Sequence, residues 1–466
     1  MDNNGAMATN APQPSIWTFQ DNFDFRKDID ENSPFYVPLE DHRGDYSRQA
    51  IFREFVLDSS GKALPGVLPK QSATVLFGGH VGSGKSTELR KLASLFKETY
   101  TVSHLELTKV LDINNLRFSD LWIALAHRVI LALEANHLTP QSLFINPVME
   151  WFETRIIKQE RFKDLEMELK AQASAETGIP FLVKFFAVFT SKIRAGASYR
   201  EELRKEVRDG FTTLNASLNA LIAHANDLLN AAGKGPLLFI IDGTDKLAHE
   251  DSVRFFKSDV SQLGQIQTNI ILCAPIAVLL EEGSLAQRFD QRLRLPMVKI
   301  FDRDETEQPA ALDALLDLVA KRMPFSYFDS VETVKYLARM SGGHPRDLLR
   351  LVRGCFSRLD AAPVTLAVAQ RAVRDLAADA ERNVLQENWT EIVKIDASKG
   401  TDKGRTEARM KMLYELVLLE YNNYWWRSHP LVREIAGYAR AKAEYEYQAS
   451  QAGNIGNLPP ILPPAS

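Results

Sequence analysis

The chain has 466 residues, of which 45% are hydrophobic and 25% charged, and its formal net charge is −4 at pH 7. This length exceeds a single compact core, so we expect two or three domains. The near-neutral charge excludes a global electrostatic attraction to nucleic acid or to an anionic membrane.

The amino-terminal residues carry no targeting pattern. Residues 1–15 are small, polar and proline-containing, which predicts a disordered tail, and they lack the basic and apolar regions of a secretory signal. Apolar stretches further along are shorter than the ~20 residues that span a bilayer. With only two cysteines, Cys273 and Cys355, the composition suits a reducing compartment. We therefore expect a cytoplasmic protein with no membrane partner.

The most informative stretch follows a helical pattern at Ser47–Leu57 and a loop at Gly61–Pro69. Gly79 to Ser86 read G-x-x-x-x-G-K-S, directly after an apolar run and before a helical pattern, which is the context of a phosphate-binding loop. Glycines let successive backbone N–H groups point at phosphate oxygens, and the following helix adds its positive end. Lys85 would contact the β- and γ-phosphates, and the Ser86 hydroxyl would ligate Mg²⁺. The predicted nucleotide-binding residues of this loop are Gly79, His80, Val81, Gly82, Ser83, Gly84, Lys85, Ser86 and Thr87.

A strand and a long helical segment come next. Thr101–Leu107 is predicted as a strand and Leu121–Leu133 as an apolar helix, and residues 147–235 read as a helical insertion. The aromatic run Pro180–Ile193 inside it is strand-prone; it is a core strand or helix or, if exposed, a partner surface. Apolar residues at alternating spacings of four and three also form a helix-packing seam, for which packing inside the chain is favoured over a partner helix; they are Val207, Phe211, Leu214, Leu218, Leu221, Ala225 and Leu228.

Apolar strands then alternate with helices. Leu237–Asp242 is a continuous apolar strand of the kind buried in parallel sheets, and further strands are predicted at Asn269–Ala274 and Met297–Phe301. This alternation, opened by a phosphate-binding loop, predicts a three-layer α/β domain of the P-loop NTPase class over residues 16–305. Its ligand is expected at the carboxyl ends of the strands.

The remainder is predicted to be mostly helical. Residues 306–393 form a helical lid, 394–411 a polar linker, 412–450 a winged-helix-like module and 451–466 a proline-rich tail. The module is predicted from a hairpin signal, since Val417–Tyr421 and Tyr424–Arg427 flank an Asn-Asn turn between helices. Trp425 and Trp426 are expected to pack under the module rather than to stack on bases.

Two carboxylates follow the Leu237–Asp242 strand. Asp242 ends the strand where a Walker B acid stands, and it would bind Mg²⁺ directly or through water. A carboxylate at the end of a buried strand is costly unless a cation or donor satisfies it, which favours the functional role. Asp245 would orient the attacking water, and a helix N-cap is the alternative for this residue.

These motifs together resemble the AAA+ and STAND ATPases. The string Ile-Ile-Asp-Gly-Thr-Asp ending at Asp245 is similar to the Walker B of NACHT-type STAND proteins, and Gly-His-Pro ending at Pro345 resembles their G-x-P motif. The resemblance implies ATP and Mg²⁺ as cofactors and a contact between Pro345 and the nucleotide. Arg346 matches the sensor 2 arginine of origin-recognition proteins, which reads the γ-phosphate. Solvation of the lid helix is the alternative for Arg346.

A further resemblance concerns assembly. Gln-Arg-Phe-Asp at 287–290 resembles an AAA+ segment whose arginine enters a neighbouring subunit's site, which implies an arginine finger at Arg288 and a homo-oligomer. An intrasubunit salt bridge is the alternative. Two features depart from the family, because Gly243 replaces the glutamate after the Walker B aspartate and Leu-Cys-Ala-Pro at 272–275 lacks a sensor 1 residue. Nucleotide binding is therefore better supported than fast hydrolysis.

The combined hypothesis is an ATP-driven switch whose predicted catalytic residues are Lys85, Asp242, Asp245, Arg288 and Arg346. The chain shows no effector motif, no Ser-His-Asp grouping and no metal-binding spacing among its nine histidines, so we expect its output to belong to a separate protein partner. The resemblance extends to stand-alone regulatory ATPases of bacterial systems, including antiviral defence. Two alternatives stay open: a DNA-acting AAA+ ATPase of the initiator or transposition-helper type, and a nucleotide-binding scaffold that hydrolyses nothing.

Overall fold

A computed structural model describes residues 14–455 except for 115, 159–162, 164–165, 169–178, 196, 281–287, 360, 403 and 423–424. The predicted disordered tail, up to residue 13, and residues 456–466 of the predicted proline-rich tail lie outside the described residues. Within the described ranges, no helix is both long enough and apolar enough to cross a membrane.

Strands and helices alternate through the first three hundred residues and helices dominate afterwards. The strands are β1 (Thr74–Gly79), β2 (Thr101–Glu106), β3 (Leu237–Asp242), β4 (Asn269–Pro275), β5 (Gln291–Leu295), β6 (Leu418–Asn422) and β7 (Trp425–Ser428). The α-helices are α1 (Arg48–Glu54), α2 (Lys85–Phe96), α3 (Leu107–Val110), α4 (Phe118–Ala135), α5 (Ser142–Phe152), α6 (Ile179–Ala195), α7 (Ala197–Asp209), α8 (Phe211–Ala231), α9 (His249–Arg254), α10 (Val260–Leu263), α11 (Ile276–Leu280), α12 (Pro309–Ala320), α13 (Val331–Met340), α14 (Pro345–Phe356), α15 (Leu366–Glu381), α16 (Trp389–Ala397), α17 (Glu407–Tyr414), α18 (Pro430–Arg433) and α19 (Ala436–Ile455).

The chain divides into two compact units. One comprises residues 43–296 and 404–416 and contains the main sheet; the other comprises residues 1–42, 297–403 and 417–466. We call them the sheet unit and the helical unit. Helix α17, although it follows the helical segment in sequence, belongs to the sheet unit.

The main sheet is parallel, with the strand order β2-β3-β4-β1-β5. Every residue of β3 and β4 is buried, which explains their uninterrupted apolar sequences. Crossover connections between parallel strands place all carboxyl ends at one edge, so the residues after β1, β3 and β4 gather there. This strand order, with the phosphate-binding loop between β1 and α2, confirms the predicted α/β P-loop fold.

Helices cover both faces of this sheet. Phe239 and Ile241 of β3 belong to the core formed with α4, α5, α6 and α8, whereas Leu238 and Ile240 belong to the core formed with α1 and α2. Alternation of side chains along a strand sends successive residues to opposite faces. The domain therefore has the three layers that the sequence predicts.

The helical insertion packs onto the first of these cores. Six seam residues are buried there and the seventh, Leu228, is half-buried, so the seam packs inside the chain. The strand-prone run Pro180–Ile193 is helical, because it forms most of α6. The rings of Phe185 and Phe189 stack on each other, and both contact Phe152 of α5. Residues four positions apart lie on the same face of a helix, so these contacts are consistent with α6.

The prediction of a fifth strand at Met297–Phe301 was wrong. The strand of the sheet is β5, and the residues after Pro296 belong to the helical unit, where Met297 donates a backbone hydrogen bond to Glu420 and Val298 donates one to Gly343. The sequence around Val298 resembles that of a strand because its apolar residues are buried. The sequence analysis missed β5 because it contains Arg292 and Arg294, and an edge strand tolerates such charged residues.

The helical unit combines helices α12 to α16 with the β6–β7 hairpin and helices α18 and α19. The antiparallel hairpin is present near the predicted position, with its turn residues 423–424 outside the described ranges. The predicted linker at 394–411 includes the end of α16 and the start of α17. The predicted tail begins too early, because α19 continues to Ile455.

Candidate functional site

The phosphate-binding loop joins β1 to α2 with a conformation that only glycine adopts easily. Gly82 has φ +87° and Gly84 has φ +101°, in the left-handed region that disfavours a Cβ. Gly84 precedes the first residue of α2, and no side chain caps that helix. Its first N–H groups are therefore available to an anion, and the helix dipole favours negative charge there.

The Arg43 side chain hydrogen-bonds the phosphate-binding loop. Its Nη2 donates to the Ser83 carbonyl and its Nη1 donates to the Pro296 carbonyl, both at 2.6 Å, and only 4% of the residue is exposed. Charge-assisted bonds to backbone carbonyls fix the loop before any ligand arrives. The sequence analysis gave this residue no role, since its partners lie 40 and 253 positions away and no local pattern indicates them.

Lys85, the predicted phosphate ligand, is buried and fully engaged. Its Nζ lies 2.7 Å from Asp245 Oδ2, and it donates to the carbonyls of His80 and Gly79 at 2.7 and 2.9 Å. A phosphate oxygen is the strongest acceptor that could replace these groups. The loop thus holds its lysine in position by internal bonds that a triphosphate can take over.

Asp242 and Asp245 meet at the carboxyl end of β3, as the sequence predicts. Their ligand atoms and Cys273 Sγ lie within 4.8 Å of one another, and all three side chains are buried. Gly243, at φ +99°, turns the chain so that both carboxylates lie on one side. Among the described residues, Oδ1 of Asp242 and Oδ1 of Asp245 have no hydrogen-bond partner.

Two orphaned carboxylate oxygens are the feature that a divalent cation would satisfy. A buried, unsatisfied carboxylate oxygen is expensive, and hard oxygen donors are the ligands that Mg²⁺ prefers. The residues present therefore fit Mg²⁺, with Asp242 as the protein carboxylate. Ser86 lies in the first turn of α2, and its metal contact stays a prediction.

The charge of Asp245 is set by burial and by Lys85. Burial alone would raise the pKa of Asp245, but Lys85 opposes it and the pKa falls below its usual value. Burial, with the two carboxylates, holds the pKa of Cys273 well above its usual value. The thiol is therefore protonated, and it lies beside the carboxylate of Asp245. The sequence analysis gave Cys273 no role at this site, because it is not a sensor 1 residue. The fold places its thiol beside Asp242 and Asp245.

Helix α17 contacts the loop from a distant part of the sequence. The His80 ring Nδ1 lies 3.0 Å from the Leu413 carbonyl, and the Tyr414 hydroxyl donates to the Leu247 carbonyl, two residues beyond Asp245. Arg405 donates to the Leu280 carbonyl. No sequence pattern predicted that this helix lies beside the loop, because its own periodicity is unremarkable.

The two predicted arginines lie in different units. Arg288, in the sheet unit, is half-buried, and its Nη1 has no hydrogen-bond partner among the described residues. Arg346, in the helical unit, occupies the first turn of α14 directly after Pro345. The finger and sensor roles of these arginines stay predictions.

A second cluster joins histidines that the sequence left scattered. His344, Asp347 and His429 are buried in the helical unit, with one ligand atom from each within 4.8 Å of the others. Their only sequence signal is the i, i+3 spacing of the first two. His429 comes from a segment more than eighty residues away.

Comparisons with known proteins add little. No protein-family model matches the chain, and no curated protein matches it. Among solved structures, Cdc6p from Pyrobaculum aerophilum aligns at 13% identity with a TM-score of 0.29, over 89% of this chain and 97% of that one. The Orc1 protein of Aeropyrum pernix, solved in complex with DNA, aligns at 11% identity with a TM-score of 0.31 over the same fractions. Scores this low carry no argument about function.

Proposed function

We propose that this protein is an ATPase of the AAA+/STAND type that binds Mg²⁺ and ATP at the loop Gly79–Thr87 and acts as a molecular switch. The observation that carries the proposal is the cluster of Lys85, Asp242 and Asp245 beside a preformed glycine turn. Lys85 supplies the cation for phosphate and Asp242 supplies the orphaned oxygen for the metal.

Each residue has one task in this proposal. Backbone N–H groups of the loop and of the first turn of α2 bind the phosphates. Lys85 exchanges Asp245 for a phosphate oxygen, which frees Asp245 to accept a hydrogen bond from the attacking water. Asp242 and Ser86 would hold Mg²⁺, which when bound neutralises charge on the phosphates. Cys273, whose thiol lies beside Asp245, would help to orient that carboxylate.

The exchange of partners at Lys85 gives the switch a local physical basis. Lys85 and Asp245 form a buried ion pair. If a triphosphate takes Lys85, Asp245 must find new partners, and the segment after Asp245 is joined to α17 by the hydrogen bond at Leu247. Arg346 is proposed to read the γ-phosphate, and Arg288 to act on a neighbouring copy. We further propose that the resulting conformational change controls a separate partner protein, as in regulatory or defence ATPases.

Action on DNA is the competing proposal, favoured by the β6–β7 hairpin, which lies between α17 and α18 in the sequence. Several contacts within the helical unit oppose it. Trp425 and Trp426 are 3% and 1% exposed, so neither is available for base stacking, and Arg427 is paired with Glu305. Anisotropy measurements with duplex DNA at ~50 mM salt distinguish the two, because phosphate contacts are strongest at low salt. The switch proposal expects no binding.

ATP turnover tests the enzymatic part. The parent is compared with Lys85→Met, which removes the charge but keeps an apolar side chain of similar length, and with Lys91→Met on the same helix as the control. We expect turnover by the parent and by Lys91→Met and none above background by Lys85→Met. Equal background rates in all three would leave only a non-hydrolysing scaffold.

A further inference from the structure

The turn that precedes Arg346 is enclosed on both sides within the helical unit. A Cβ on Gly342 would lie 2.7 Å from Pro430 Cδ and 2.8 Å from Leu419 Cδ1, and a Cβ on Gly343 would lie 1.9 Å from the Val298 carbonyl oxygen. Both glycines have positive φ. The turn therefore fits its surroundings only as glycine, and the hairpin segment forms one of its walls.

Hydrogen bonds reinforce this contact. The Tyr421 hydroxyl of β6 donates to the Gly342 carbonyl at 2.8 Å, and both groups are buried. At the other end of the turn, Asp347 Oδ2 lies 2.8 Å from His344 Nδ1 and 3.2 Å from His429 Nε2, and Arg350 donates to Asp347 Oδ1 at 3.1 Å. Asp347 is the residue directly after Arg346.

The tautomer of His429 follows from its second hydrogen bond. The backbone N–H of Leu431 donates to His429 Nδ1 at 3.1 Å, so Nδ1 carries no proton. A neutral imidazole then carries its proton on Nε2, and this N–H must donate to Asp347. An imidazole in this state offers no lone pair at Nε2, which excludes a metal ion held jointly by His344, Asp347 and His429.

The hydrogen bond between His429 and Asp347 is buried. Asp347 is 4% exposed and His429 is 2% exposed. Burial would raise the pKa of Asp347, but the two histidines lower it well below its usual range, so the carboxylate is charged. Removing the His429 donor would leave Asp347 Oδ2 with the His344 ring as its neighbour and weaken the hold on this buried carboxylate. The first turn of α14 is thus fixed by a residue of the carboxyl-terminal segment.

We propose that His429 is a positioning residue for Arg346. By donating to Asp347, it fixes the first turn of α14 and so the backbone that carries Arg346. This inference rests on the proposed function, because it requires Arg346 to sense nucleotide.

Two substitutions separate positioning from mere capping. His429→Asn keeps an oxygen that can accept from the Leu431 N–H, since asparagine is a good N-cap, but its amide is too short to reach Asp347. His429→Gln places an amide N–H near the former Nε2 and keeps the donor to Asp347 while weakening the cap. If His429 positions Arg346, the glutamine variant behaves like the parent and the asparagine variant does not. A residue that only caps α18 gives the opposite order.

The readout is discrimination between ATP and ADP, measured as the ratio of dissociation constants by calorimetry on the full chain. We expect His429→Asn to reduce this ratio by ~5-fold or more, the lower end of typical coupling between sites, while ADP affinity is unchanged. Arg346→Ala should reduce it similarly, and the double variant should lose no more than the larger single effect. Circular dichroism and thermal unfolding check that each variant is folded.

Four outcomes would overturn one or both proposals. An unchanged ratio in His429→Asn, or additive losses in the double variant, overturns the positioning role and leaves the ATPase proposal standing. Loss in His429→Gln with retention in His429→Asn also overturns it, in favour of capping. Failure of the parent to bind ATP overturns both proposals.

Discussion

Lys85 Nζ lies 2.7 Å from Asp245 Oδ2, and both side chains are buried. The two charges neutralise each other at the site where the sequence predicts a phosphate and a catalytic water. In the proposed function a triphosphate takes Lys85 from Asp245, so the ion pair would oppose binding, and binding would change the surroundings of Asp245. The predictions below follow from this arrangement and from the packing around it.

Neutralising Asp245 separates binding from hydrolysis. In Asp245→Asn, Lys85 no longer has a carboxylate to leave, so we expect ATP affinity equal to or higher than that of the parent. Turnover should fall by ~100-fold or more, as is typical when a general base is removed. Calorimetry and a phosphate-release assay measure the two effects. Asp251→Asn, which alters a carboxylate paired with the part-exposed Arg254, is the control; weaker ATP binding by Asp245→Asn alone would contradict the exchange.

The orphaned oxygen of Asp242 predicts how the metal contributes. In the parent, ATP affinity should fall when Mg²⁺ is removed with EDTA, since the metal links the carboxylate to the phosphates. In Asp242→Asn, affinity should be nearly the same with and without Mg²⁺. Titrations in both conditions measure this difference. An undiminished Mg²⁺ effect in the variant would place the metal elsewhere.

Gly343 predicts a large stability effect. Gly343→Ala would drive a Cβ to 1.9 Å from the Val298 carbonyl oxygen, so the main chain must move, at a cost of ~3 kcal/mol or more. Gly66→Ala is the matched control, because Gly66 also has positive φ, +75°, but a Cβ there meets nothing within 4 Å. It should cost only about 1 kcal/mol, the strain of a left-handed residue. Urea denaturation measures both, and equal losses would refute the packing argument.

His127 predicts a pH dependence of stability. Burial lowers its pKa from 6.5 to about 4, so the unfolded chain takes up the proton first. The contribution of this group to the free energy of unfolding should therefore be intact above pH 6.5 and decline as the pH falls toward about 4. His127→Phe keeps a ring against Phe186, on which His127 stacks, and should reduce this decline. Denaturation curves at several pH values measure it; an unchanged decline would assign it to other groups.

The sequence predicted the site where residues adjacent in the chain form it. The loop Gly79–Thr87 and the pair Asp242 and Asp245 are placed by local turns, so their spacing was enough to predict where they lie. Arg43, Cys273 and His429 were missed or given no role, since each depends on partners brought together only by the tertiary fold. The prediction of a strand after Pro296 was wrong because burial, not strand pairing, explains the apolar character of these residues. Tertiary packing likewise decided that the Pro180–Ile193 run is a helix.

Calorimetric titration of Mg²⁺ and ATP into the full chain, beside Lys85→Met and Lys91→Met, tests the central claim most directly. The arrangement of the loop predicts one ATP bound per chain by the parent and by Lys91→Met, with affinity at least ~10-fold weaker in Lys85→Met, because a charge-assisted contact to phosphate is lost. Absence of ATP binding by the parent, or equal affinity in all three proteins, would contradict it.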